Sequence, residues 1–152
     1  MRYLLLLFVF VTAKSFAQTP RLPLWDKQTM LFGSTKMKVK NDKTSAVIFE
    51  GAKTSTITIN DKNNSIIGAG VAVRLGNYFE MLDAKVTKSE FEIDEKYRSI
   101  TYTASNDKKL CVIIVSYNNS DLSKPSFIIV TINDDWRHDT ANKMTFTLDN
   151  IQ

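Results

Sequence analysis

Along most of this chain, apolar and polar residues alternate singly, the two-residue period of a β-strand with one face buried. The stretch "SEFEIDEKYRSITY" shows it cleanly: Phe91 and Ile93 share one face, while Glu90, Glu92 and Asp94 share the other. Strand signals recur near 34–40, 44–50, 54–60, 66–75, 78–86, 89–94, 97–104, 109–117, 125–132 and 142–148. Between them stand short polar or glycine-bearing breaks such as "NDK", "GAK", "DKNNS", "GN", "TK", "EK" and "SNDK". Gaps this short join antiparallel neighbours, since parallel strands need crossovers of a dozen residues or more. No window holds a helical period over three turns.

The pattern therefore predicts an all-β, single-domain antiparallel up-and-down meander of 8–10 strands, barrel-like, with a two-layer β-sandwich as the alternative. Size and meander resemble the lipocalin shape, although Trp25 follows "LPL" rather than the Gly-x-Trp of that family. Gly68 and Gly70 in "SIIGAGVAVRL" suit a bulge or sharp bend. One hairpin register can be read directly. A two-residue turn at Glu95-Lys96 pairs Asp94 with Tyr97, Ile93 with Arg98 and Phe91 with Ile100. That choice gathers Phe91, Ile93, Ile100 and Tyr102, and a slip of one residue would turn one apolar set outward.

Two neighbouring runs break the alternation. "LCVIIVSY" and "SFIIVTIN" are apolar on both faces, so one set enters the core and the other is left as a stripe outside. Large exposed apolar patches mark contact sites. The residues taken for that stripe are Ile113, Val115, Ile128 and Val130. Three covers present themselves: the segment carrying Trp25, Met30, Leu31 and Phe32, a second copy, or a partner protein.

The first seventeen residues read differently from the rest. "MRYLLLLFVFVTAKSFA" has a basic start, an apolar run from Leu4 to Val11, and small residues Ser15 and Ala17 before Gln18. This is the layout of a cleaved secretory signal peptide, and its apolar run falls short of the about 20 residues that span a bilayer. The expected organisation is a signal peptide at 1–17, an extended or short helical segment at 18–33 with Pro20 and Pro23, and a β domain at 34–152. The expected location is secreted or periplasmic, with no transmembrane segment in the mature chain. A transmembrane barrel would need longer strands, aromatic girdles and long loops at one end only.

Loss of Arg2 and Lys14 lowers the net charge from +4 to +2, 18 basic residues against 16 acidic. Nucleic-acid binding calls for a clustered basic face. The nearest candidates, Lys36, Lys38 and Lys40, alternate with Met37 and Val39 and read as the solvent face of an edge strand, charged against edge-to-edge pairing. Cys111 is the only cysteine, so no internal disulfide forms, and its apolar neighbours point to a buried thiol.

One stretch resembles a site. "NDDWRHDTAN" holds the sole histidine, His138, beside Asp134, Asp135 and Asp139, a weak metal set, with Trp136 able to stack on a sugar ring. Zinc sites gather more His or Cys than this, and calcium-loop spacing is missing. Polar turns select the same residues for local backbone hydrogen bonds. No nucleophile-base pairing, P-loop, dinucleotide motif or cofactor motif is present, so an enzyme is not expected. Two N-x-S sequons, at Asn63 and Asn118, fall in turns and read as chance.

The leading expectation is an exported, non-catalytic binding protein. It would hold a small apolar or amphipathic ligand in the barrel mouth, lined by Phe49, Phe79, Phe91, Ile100 and Tyr102. The alternative is a protein-interaction or self-assembly module using an exposed apolar strand face. A weaker alternative is metal or carbohydrate binding at the 134–139 loop.

Overall fold

The computed structural model describes residues 29–61, 65–134 and 143–152. Eight strands follow one another: β1 (Thr29–Asn41), β2 (Val47–Asn60), β3 (Gly70–Leu75), β4 (Phe79–Ile93), β5 (Tyr97–Ser105), β6 (Lys109–Asn118), β7 (Phe127–Asp134) and β8 (Lys143–Ile151). Each pairs antiparallel with the next, and β8 pairs back onto β1, closing a barrel. Among the described residues there is no helix, so none is long and apolar enough to cross a membrane.

The up-and-down meander is thus a closed eight-stranded barrel. Ten apolar runs become eight strands because two of the breaks are not turns. "GAK" lies inside β2 and "TK" inside β4. At Thr87 the β4–β5 register shifts by one residue. Another shift, between Val71 and Val73 on β3, coincides with Asp83 at φ 55°. Each bulge resets which parity of β4 points inward: Phe79 and Met81 first, then Ala84 and Val86, then Phe91. Bulges of this kind bend a strand and raise its twist, which a barrel wall needs in order to close.

The β4–β5 hairpin has the register read from sequence. Ile93 faces Arg98, Phe91 faces Ile100, and the Asp94 amide donates to the Tyr97 carbonyl at 2.9 Å. The bend expected at Gly68 and Gly70 lies just before β3, with Ile66 at φ 56° and Gly68 at φ 87°. Lys36, Lys38 and Lys40 do line the outside, with Met37 and Val39 fully buried behind them. Their strand is not an edge, however: β1 is paired over this stretch by β2 on one side and β8 on the other.

The core is the barrel interior. Met30, Phe32, Met37, Ile57, Ile59, Leu75, Met81, Tyr102, Ile113, Ile128, Ile132 and Phe146 all point into it and are 4% exposed or less. Met30 and Phe32 are therefore barrel lining and not a cover over the outside, while Leu31 between them is 65% exposed. Trp25 lies outside the described residues.

Candidate functional site

The five residues expected to line a ligand site do not form one. Phe91 and Ile100 are cross-strand partners near one end of the barrel, with Tyr102 one step further in. Phe49 and Phe79 sit toward the other end, where the Phe49 ring stacks on Tyr78 at 5.7 Å and the Lys109 ammonium lies 4.8 Å over Phe79. Ile100 is 2% exposed and Tyr102 0%. A side chain without accessible surface borders no space wide enough for water, so Tyr102 fills the interior itself, as side chains do in small barrels.

The stripe residues need a correction. Ile113, Val115, Ile128 and Val130 are each 0% exposed and belong to the core. The reason is register. Tyr102 faces Ile113 and Ala104 faces Cys111 across β5–β6, and Ile113 faces Val130 across β6–β7. Residues directly opposite share a face, so the inward set of β5 dictates the inward sets of β6 and β7. A signal for this was present in the chain. The short break after Ser105 fixes Ser105 opposite Leu110, and counting from there puts Ile113 beside Tyr102.

The other parity forms the outer wall. Thr101, Ile114, Ile129 and Thr147 make one cross-strand row, and Thr103, Val112, Thr131 and Thr145 make the next. All eight are half-buried, and none is charged. The Thr131 and Thr145 hydroxyls lie 3.3 Å apart. At one end of these rows Phe127 meets Tyr97 edge-on at 5.2 Å, and the Ser99 and Ser116 hydroxyls are 2.9 Å apart. Ser116 points outward yet is only 2% exposed.

The opposite half of the wall is of different character. Outward positions of β1 to β4 carry Lys38 with Glu50 at 3.0 Å, Arg74 with Glu80 at 2.7 Å, and Lys88 with Glu90 at 2.6 Å. These pairs are about half-exposed, so each adds at most about 1 kcal/mol of stability. What they do is keep that half wetted. The barrel therefore has one half laced with ion pairs and one whose central rows are uncharged, with Lys143, Asp149 and the Asp42 carboxylate on Thr145 at its β8 margin.

Titratable chemistry offers little in the described residues. No three His, Cys, Asp or Glu side chains gather among them. Cys111 is buried and free, and desolvation pushes its thiol up to about 12. Burial, with Tyr102 nearby, also raises Tyr117. Asp61 is 5% exposed and accepts from the Ser65 and Ile66 amides at 3.1 and 2.6 Å, holding the turn into β3. Of the weak metal set, Asp134 ends β7, and Asp135, His138 and Asp139 lie outside the described residues.

Fold and surface together define a closed eight-stranded antiparallel up-and-down barrel with a filled centre and a two-sided wall. Comparisons with known protein families, with curated proteins and with solved structures give no match.

Proposed function

We propose that this chain is an exported, non-catalytic protein-interaction module whose working surface is the outer wall of β5 to β8. One observation carries the reading: Val112, Ile114, Phe127 and Ile129 lie side by side on that wall, flanked by threonines and serines, with the charges of Lys143, Asp149 and Asp42 kept to the β8 margin. Interface centres are depleted in charge and enriched in aromatic and aliphatic side chains, and contiguous apolar surface on a small soluble protein marks contact. Export rests on the signal-like first seventeen residues. The ligand-carrier reading asks for open space among residues that here fill the barrel, so the packing favours the outside.

The test compares matched threonines. A photo-reactive amino acid replaces Thr101 on the uncharged wall or Thr56 on the charged one, both half-buried and outward. In the producing cells, Thr101 should give a discrete protein adduct that Ile129→Lys removes, and Thr56 should not. Equal adducts from both positions, or none from Thr101, would sink the reading.

A further inference from the structure

The turn from β3 to β4 borders a cleft of about 330 Å³, lined by Arg74, Gly76, Asn77, Tyr78, Phe79 and Glu80. That is the low end of the about 300–1,000 Å³ of small-molecule sites, room for a single ring. Tyr78 keeps 36% of its surface open. Its ring is braced by Phe49 at 5.7 Å and by the Lys53 ammonium at 6.0 Å. Two glycines make room for those braces. A Cβ on Gly51 would come 3.2 Å from the tip of the Phe49 ring, and one on Gly76, at φ 56°, would come 2.8 Å from the Lys53 stem. Across the β3–β4 pair Arg74 faces Glu80, and their side chains meet at 2.7 Å.

We infer that this cleft binds a neutral sugar, a single ring whose C–H face lies on Tyr78 and whose hydroxyls reach Arg74, Asn77 and Glu80. The lining selects that chemistry by elimination. Its two charges are opposite and already joined, so an ion of either sign is drawn by one and repelled by the other. A wholly apolar ligand would strip water from three polar side chains and return no hydrogen bond, at a cost that contact with one ring does not offset. A polyhydroxylated ring meets both demands. Its hydroxyls donate to the Glu80 carboxylate and the Asn77 amide oxygen, and accept from the Arg74 guanidinium. Its C–H face covers the apolar body of the tyrosine.

Packing fixes these groups before any ligand arrives, so binding orders little that is not already ordered. Two ammoniums stand nearby and both are engaged: Lys53 over the Tyr78 ring, and Lys109 on the Glu80 backbone carbonyl at 2.7 Å. The inference does not depend on the β5–β8 wall.

The test is an NMR titration of the full chain with glucose, galactose, mannose and N-acetylglucosamine, beside glucuronate, glucosamine and adenosine. At least one neutral sugar should shift the amides of Arg74, Asn77, Tyr78 and Glu80 and saturate in the millimolar range. Tyr78→Ala should weaken that sugar about tenfold, while Tyr78→Phe keeps it within about twofold, because the ring carries the stacking. Arg74→Gln, at an exposed position clear of the turn, should weaken it severalfold and gives a second readout if Tyr78→Ala does not fold. No saturable shift with any neutral sugar would overturn the inference. So would shifts centred on Ile114 and Ile129, full binding by Tyr78→Ala, or tighter binding of glucuronate, glucosamine or adenosine than of every neutral sugar.

Discussion

The Asp94 carboxylate accepts a hydrogen bond from the Tyr97 amide at 2.6 Å, and this contact closes the β4–β5 hairpin. It also takes the Lys96 amide at 2.7 Å. Those two backbone donors, Tyr97 the stronger, hold Asp94 below its ordinary value of 3.8. A depressed carboxylate stabilises the fold while ionised, so its contribution is present above 3.8 and lost as pH falls through the lower folded value. NMR titration should therefore find Asp94 ionised below pH 3.8. Asp94→Asn should remove the pH dependence of the hairpin in that range, with the register kept.

Which face of β6 is the core sets a contrast in stability. Ile113→Ala removes a fully buried side chain and should cost about 2–5 kcal/mol in urea unfolding. Ile114→Ala, one residue along on the half-buried outer wall, should cost about 1 kcal/mol or less. Equal costs would contradict the register.

Asp83 adopts φ 55° where β4 changes its inward parity. That conformation strains residues with a Cβ by about 1–2 kcal/mol, and glycine escapes the strain. Asp83→Gly should be neutral or slightly stabilising by thermal melt. Asp83→Val should lower the midpoint, since a β-branched residue is an outlier there.

Cys111 should be inert in the folded barrel. Its thiol, at about 12 and without exposed surface, offers almost no thiolate at neutral pH. Alkylation should appear only with global unfolding. The folded state also keeps this proton where the unfolded chain has begun to lose it, so stability should decline as pH rises from 9.0 toward about 12.

The alternating parts of the chain were legible because one face was polar. The β4–β5 hairpin was read to the residue from Phe91, Ile93, Ile100 and Tyr102 set against Glu90 and Glu92. Bulges defeated the same logic. At Thr87 and Asp83 the inward set changes parity without a turn, so one fifteen-residue strand looked like two. In β6 and β7 the failure had the opposite cause. With both faces apolar, alternation carries no sign, and Ile113 or Ile114 could each be core until the register with Tyr102 is counted across the turn. The outer wall was thus foreseen as a feature but placed on the wrong side chains. The ligand-lining set failed because Phe49 and Phe91 share a chemical type and not an end of the barrel.

The seam between β1 and β8 joins Ser34 to Ile151 and Asn41 to Met144, with the Gln152 amide donating to the Gly33 carbonyl at 2.9 Å. The first and last described strands are thus each other's neighbours, and the wall cannot shut until the last strand has arrived. Contacts so distant in sequence form slowly. A chain emerging from a ribosome must therefore wait with β1 half-paired, its apolar lining open, until Ile151 is free to dock.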